Sequence, residues 1–419
     1  MALKQMDALA ALREAAGEVI ETSLCDVQGN WLALVNAEEG KRLAFAANGE
    51  AALSALWKDV EKEADVKDVH VSVMALNANN AALVRRYVKW TAPTDCGTKG
   101  ASIGFSDWLG EADAVVAELF GKRQLKPVLV DFTTEDSEAL QRYFVQAVDT
   151  ATWGVLEEGY KEGYGANAAG LKTEEEIVKA LLYGYSMIGF DCSDKIDLGI
   201  EKLSDEAVDK RFEQFNETFR AALHASYLNA EFKVGTSKIT FTENQLHRIV
   251  LEYGEAIMHI QFIYNSYLKN TPWDIDFELD LSKPGKVLTP QEHYLIGNEL
   301  QRNGIKLSSI CLDPLKDSEA VNDNLQLHCE IADTFGYRLS FKNADIAMND
   351  TAAAMKYLKG KVHFKMNNIL WMSAIELVKA LDADLFGKLC AACGCEATAD
   401  AADRALVLGY RKALNPKEE

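Results

Sequence analysis

Histidine, proline and cysteine are scarce in this 419-residue chain, at seven, seven and eight residues. No His-Glu-x-x-His, no Gly-x-Ser-x-Gly and no second Cys-x-x-Cys to match Cys390-x-x-Cys393 occurs. These absences remove the helix-borne zinc protease site, the serine-hydrolase elbow and the four-cysteine zinc module. The eight cysteines are scattered, and Cys25, Cys192, Cys311 and Cys329 sit in apolar segments where a thiol behaves as a small hydrophobe, so disulfides are not expected. Cys390, Cys393 and Cys395 lie among alanines and glycine, and read as a small-residue helix end. Positive charge is also short: 44 Lys and Arg against 64 Asp and Glu leave a net charge of -20. Long-range repulsion then opposes a nucleic acid or an anionic membrane as partner. No apolar run approaches the roughly 20 residues that span a bilayer, and a cytoplasmic location is expected.

What is present is enough apolar material, 48% of residues, for one large core. Residues 1 to about 66 combine helix-like stretches (Met1 to Ala16, Gly49 to Ala64) with β-type runs at Val19 to Cys25 and Trp31 to Val35, broken by Gln28-Gly29-Asn30. This predicts a small α+β appendage over 1–68 containing a hairpin. Short apolar or β-branched runs then recur at Val69 to Leu76, Ala101 to Phe105, Pro127 to Phe132, Ser186 to Asp191, Ile275 to Leu281, Lys306 to Leu312, Arg338 to Phe341 and Lys361 to Phe364. Helical patterns separate most of them, and three have clear starts at Thr173-Glu174-Glu175-Glu176, Thr242-Glu243-Asn244-Gln245 and Thr289-Pro290-Gln291-Glu292. Seven or eight strand-helix units predict an α/β fold, a (β/α)8 barrel over 69–419. Long helices at Asp205 to Leu228 and Glu243 to Leu268 form an insertion around 205–270, suited to a lid or a homo-oligomer contact.

In such a barrel the chemistry collects on loops leaving the carboxyl ends of the strands. Asp191-Cys192-Ser193-Asp194-Lys195-Ile196-Asp197 follows the run ending at Phe190 and is the leading candidate. Asp107, Asp131, Asp280, Asp313, Lys342 with Asn343 and Asp345, and His363 with Lys365 also fall at predicted strand ends. Each alone reads as a turn former or a cap; their joint placement is what points to a site. Glu292 is explained as the third residue of a capping box and His293 as a first-turn neighbour, whereas Lys195 and Lys342 are unusual beside buried strands. Gly159-Tyr160-Lys161-Glu162-Gly163-Tyr164-Gly165 follows no strand and lacks Gly-Lys-Ser/Thr, which excludes a phosphate loop.

The segments Ser102-Ile103-Gly104-Phe105-Ser106-Asp107-Trp108-Leu109-Gly110, Gly163-Tyr164-Gly165-Ala166-Asn167, Ser193-Asp194-Lys195-Ile196-Asp197, Glu292-His293-Tyr294 and Phe335-Gly336-Tyr337-Arg338-Leu339-Ser340 resemble the tagaturonate epimerases. The resemblance covers about residues 100–380 and implies a TIM barrel with a divalent-metal site at its mouth. It implies Asp194 as proton acceptor, Glu292 before His293 as the acid-base glutamate, and His363 as one metal position. Where the family has two further metal-binding histidines, this chain has Lys195 and Lys342. Asn167, Ala169 and Gly170 also replace polar family residues.

The expected activity is therefore a carbohydrate isomerase acting on a ketose or keto-uronate, with a small sugar or sugar acid as partner and no cofactor. Asp194, Glu292, Lys195 and Lys342 are the expected catalytic residues; Asp107, Asp191, His293, His363 and Asn343 are the expected substrate contacts. Lys195 and Lys342 facing one another would lower each other's pKa by like-charge repulsion. The alternatives are a catalytically inactive barrel that binds a sugar acid or a partner protein, and a lysine-dependent aldolase.

Overall fold

In a computed structural model the described residues are 2–48, 54–110, 112–121, 125–281, 288–312, 318–342, 357–366, 369–396 and 406, with only the backbone described over 318–323. The chain opens with helix α1 (Gln5–Ala16) and a five-stranded antiparallel sheet in the order β1 (Glu18–Val27), β2 (Asn30–Ala37), β3 (Gly40–Asn48), β5 (Val69–Met74), β4 (Val60–Val66). Alternation along the strands gives the sheet two apolar faces. Ala33, Val35, Ala44, Ala46, Val71 and Val73 meet Ala8, Ala11, Leu12 and Ala15 of α1. On the other face Leu34, Phe45 and Met74 meet Val84 of α2 (Ala78–Tyr87) and Leu156 of a barrel helix.

Two expectations are corrected here. The stretch to Ala64, read as helical, ends in β4, whose exposed Glu61 and Glu63 are edge-strand residues rather than a helix face. The run from Val69 pairs with β3 and β4 and belongs to this sheet, so the layer extends past residue 68.

Eight further strands close a parallel barrel: β6 (Ala101–Gly104), β7 (Lys126–Thr133), β8 (Gly165–Leu171), β9 (Met187–Asp191), β12 (Asp276–Asp280), β13 (Ser309–Leu312), β14 (Arg338–Phe341) and β15 (Val362–Lys365). This is the expected (β/α)8 barrel with an antiparallel N-terminal layer. Strand β8, Gly-Ala-Asn-Ala-Ala-Gly-Leu, was not expected, because it carries no β-branched residue. Its small side chains suit its burial on both faces.

Around the barrel run α3 (Asp113–Phe120), α4 (Thr134–Leu140), α5 (Phe144–Glu158), α6 (Glu174–Tyr183), α10 (Pro290–Arg302), α11 (Ser318–Phe335), α12 (Ile369–Leu381) and α13 (Ala383–Ala392). The insertion after β9 holds α7 (Asp205–Phe212), α8 (Glu217–Tyr227), the hairpin β10 (Phe232–Val234) and β11 (Ser237–Ile239), and α9 (Glu243–Ile263). The single long helix expected from Asp205 is thus two, because Asn216 caps a new start by accepting from Thr218 N. All three expected capping boxes form, at Thr173, Thr242 and Thr289.

Thr242 Oγ1 accepts from Gln245 N at 3.3 Å at the start of α9, whose side chains hold the loop after β9. Thr242→Ala is expected to lower the unfolding free energy by about 1 kcal/mol, read as a lower urea midpoint at unchanged slope.

Candidate active site

Strand β12 reads Asp276-Phe277-Glu278-Leu279-Asp280. Alternation turns its three carboxylates inward as a ladder running up the barrel axis, while Phe277 and Leu279 join the core beneath the helices. A cation stands at each level. At the bottom Arg338 lies in electrostatic contact with Asp276, which also accepts from Cys96 N at 2.6 Å and Gly97 N at 3.1 Å. At mid-barrel the Lys365 ammonium pairs with Glu278 and lies 4.0 Å from Asp131. At the mouth Lys342 pairs with Asp280.

The middle level is closed by further polar partners. Ser309 Oγ donates to Glu278 Oε2 at 2.8 Å, and Asn167 Nδ2 donates to Asp131 Oδ1 at 2.8 Å. Ser102 Oγ is hydrogen-bonded to His363 Nδ1 at 2.9 Å, and His363 Nε2 stands 3.5 Å from Asp131 Oδ2. Ser340 lies buried at the same level, facing His363 in the strand register. Gly104 makes room for Asp131: a Cβ there would fall 2.2 Å from Asp131 Oδ2.

Burial at this level is severe, with His363 at 0% and Glu278 at 1% exposed. Burial is the largest single influence and would raise Asp131 and Glu278, yet Lys365, His363 and the hydrogen bonds to them together outweigh it, and both carboxyls are lowered. Burial would lower Lys365, but Glu278 and Asp131 raise it well above the lysine range. The interior is therefore an ionised network rather than the apolar filling usual in such barrels.

The rim carries a second charge cluster. Lys172, just after β8, lies 3.2 Å from Asp194 and 3.5 Å from Asp191, while Ser193 N donates to Asp191 Oδ1 at 2.8 Å. Glu292 is buried in the first turn of α10, where its carboxylate accepts from Thr289 N at 2.7 Å. Its charge acts on Tyr253 of α9.

A family model described as tagaturonate epimerase matches residues 20–404. The chain belongs to the tagaturonate epimerase family. It is 27% identical over 383 residues to the tagaturonate/fructuronate epimerase of Thermotoga maritima, covering 89% of this chain and 78% of that protein. Two crystal structures of fructuronate-tagaturonate epimerase UxaE from Cohnella laeviribosi, complexed with glycerol, are also similar. One has a TM-score of 0.81 at 28% identity, covering 93% of this chain and 80% of that one; the other has 0.82 at 26%, covering 98% and 91%. Family membership makes this chain an epimerase-type enzyme of carbohydrates.

Within the tagaturonate epimerase fold, the expected site residues separate into distinct groups. Asp191, Asp194 and Lys342 stand at the mouth and His363 inside the barrel. Asp107 does not offer a free carboxylate: it accepts from Leu109 N, Gly110 N and Ala112 N at 3.2, 2.9 and 2.7 Å and shapes its own loop. His293 is not a substrate contact either. It is fully buried between α10, α11 and the start of β14, with Nδ1 2.8 Å from His328 Nδ1 and Nε2 2.8 Å from Tyr337 Oη. Burial, with His328 beside it, lowers His293 well below the usual range and keeps it neutral. Asn343, Asp313 and Asp345 lie outside the described residues.

The expected confrontation of Lys195 and Lys342 does not occur. Lys195 turns outward to Glu255 of α9 at 3.0 Å. Burial would lower Lys342, but Asp280 raises it above the ordinary lysine range, and the cation acting on it is Lys365.

Lys195 and Lys342 stand where the resemblance implies metal ligands; Lys195 pairs with Glu255, and Lys342 pairs with Asp280 near the Lys365 ammonium. His363 Nε2 and Asp131 Oδ2 are two buried atoms without a hydrogen bond, but Asp131 already faces Lys365. Among the described residues, no three ligand atoms converge inside the barrel.

Glu278 was the residue missed, although the Asp276, Glu278, Asp280 alternation within an apolar run is a readable signal. Breaking its buried pair by Lys365→Met is expected to cost about 3–5 kcal/mol; adding Glu278→Leu should recover part of the loss in chemical denaturation, because Asp131 still lacks its cation. Because Asp131 and Glu278 are lowered in the fold, their stabilisation is complete above the ordinary carboxylate range, about pH 4–4.5. It is lost as pH falls through the lowered folded values. Melting temperature followed from pH 6 downward is expected to drop less steeply in the Lys365→Met, Glu278→Leu protein.

Proposed function

We propose that this enzyme epimerises a keto-uronate, interconverting tagaturonate and fructuronate or a close analogue, without a divalent metal at the family position. The observation that carries the reading is the family match over residues 20–404 combined with a barrel mouth built from paired ammonium and carboxylate groups. The relatives named for tagaturonate and fructuronate support the substrate class.

The stereocentre concerned lies one carbon beyond the atom next to the ketone, so enolisation alone leaves it untouched. Inversion needs cleavage and re-formation of the carbon-carbon bond by retro-aldol chemistry. The hydroxyl loses its proton and becomes a carbonyl, the bond electrons pass to the ketone as an enolate, and the bond re-forms on the other face of that carbonyl with return of the proton. Lys342, kept protonated by Asp280, supplies a fixed charge for the ketone oxygen or for the uronate carboxylate. Asp194 is the proton acceptor: its side chain is 69% exposed at the rim, and Lys172 orients it. Glu292 is the second acid-base group, placed in the first turn of α10 by Thr289.

A raised Lys342 pKa weighs against a Schiff base, and so against the aldolase alternative. Lys195, paired with Glu255, positions the β9 loop rather than meeting substrate.

Incubation with tagaturonate after chelator treatment, followed by proton NMR, is expected to show fructuronate forming at an unchanged rate. Asp194→Asn and Glu292→Gln should each lower kcat by about 10²-fold or more, and borohydride with substrate should leave no adduct. No turnover of either hexuronate, with or without divalent metal, would sink the epimerase reading. Turnover restored only by metal would sink the lysine account alone.

A further inference from the structure

Outside the barrel, the insertion after β9 brings together a second set of ligand atoms. Glu243 opens α9 and His247 follows one turn later, so the two share a face, and His224 reaches them from α8. One ligand atom from each of the three lies within 4.8 Å of the others. The two imidazoles meet through Nε2 and Nε2 at 2.9 Å.

Both rings are held in place. Phe212 of α7 stacks on His247 with ring centroids 3.8 Å apart and on His224 at 5.5 Å. Asp209 Oδ1 lies 2.7 Å from His247 Nδ1, so Nδ1 carries the proton and the Nε2 lone pair faces His224. A carboxylate behind the far nitrogen of a histidine is the arrangement that orients metal-bound imidazoles. A single hydrogen bond between the rings accounts for the two histidines, and Glu243, an acidic first-turn residue of α9, brings a third ligand atom to them.

We propose that His224, His247 and Glu243 bind a late first-row divalent cation, zinc by the chemistry of its donors. Two imidazoles and one carboxylate suit zinc, with water completing four ligands from the exposed Glu243 side. Binding opens the two nitrogens to about 3.3 Å, the separation set by ligand distances of about 2.0–2.1 Å around a tetrahedral centre.

The ion joins α8 to the first turns of α9. Further along the same helix, Glu252 O accepts from Asp197 N at 3.1 Å and Glu255 holds Lys195. The site is thus a clip on the helix that carries the loop of Asp194. It rests on these side chains alone and not on the epimerase reading.

The full chain, stripped with a chelator and dialysed, is titrated with zinc against a chromophoric indicator, with thermal unfolding read in parallel. Cobalt substitution supplies a spectroscopic signature. Wild type is expected to take up one equivalent more than His224→Ala and to gain several degrees in melting temperature that the variant does not gain. Its cobalt form should show visible absorption of four-coordinate type. Glu243→Gln, a surface change that leaves the fold intact, is expected to weaken uptake at least tenfold. Equal uptake and equal thermal shifts in wild type and both variants would overturn the proposal. So would the absence of any uptake at micromolar zinc.

Discussion

The Lys365 ammonium, set between Glu278 and Asp131 at mid-barrel, is the charge on which the interior depends. Two carboxylates buried this deeply cannot stay ionised without a cation, since an isolated buried charge costs far more than a fold of this size has in reserve. With Lys365 in place both are lowered, and their other oxygens and neighbours then organise Ser309, Ser340, Asn167, His363 and Ser102. Register does the rest, because Ser340 pairs with His363 and His363 with Ser102, and this brings each polar group to one level of the barrel.

Such a network trades stability for definition. A barrel filled with Val, Ile and Leu tolerates repacking, whereas ionised partners fixed by hydrogen bonds accept one arrangement. Glycine at positions 104 and 189 shows how tightly the space is allotted: a Cβ at Gly104 would strike Asp131, and one at Gly189 would approach Asn167 Oδ1 at 3.2 Å. The mouth inherits this rigidity, since Lys342 and Asp280 continue the inward faces of β14 and β12.

The barrel was legible in the sequence because seven of its strands are apolar runs set between helices with capping signals. Strand β8 was hidden by its alanines and glycines, and β5 was assigned to the wrong sheet because an apolar run says nothing about its partner. Asp191, Asp194, Lys342 and His363 were singled out for their position, and they do lie at or near strand ends. Asp107 and His293 were misread for a common reason: sequence shows a polar group but not what satisfies it. Three backbone amides consume Asp107, and a histidine and a tyrosine enclose His293. Lys195 and Lys342 look alike in sequence, yet one meets Glu255 on an exposed helix face and the other a buried aspartate.

That last difference bears on the proposed metal-free reading, in which lysine stands at two positions where the resemblance implies metal ligands. A metal draws several ligands to one point and polarises whatever oxygen completes its shell. An ammonium needs only one carboxylate to hold it, and it leaves its remaining protons free to donate. The ladder on β12 supplies such carboxylates at successive levels, with Glu278 holding Lys365 and Asp280 holding Lys342. Charge along the barrel axis is thereby held by β12, β14 and β15, three rigid strands, instead of being assembled when an ion arrives. Lys195, on the loop after β9, lies outside that ladder and is free to fasten the loop to α9. The two replacements are therefore not equivalent: one keeps a positive charge facing the barrel axis, and the other moves it to the outer wall of the mouth.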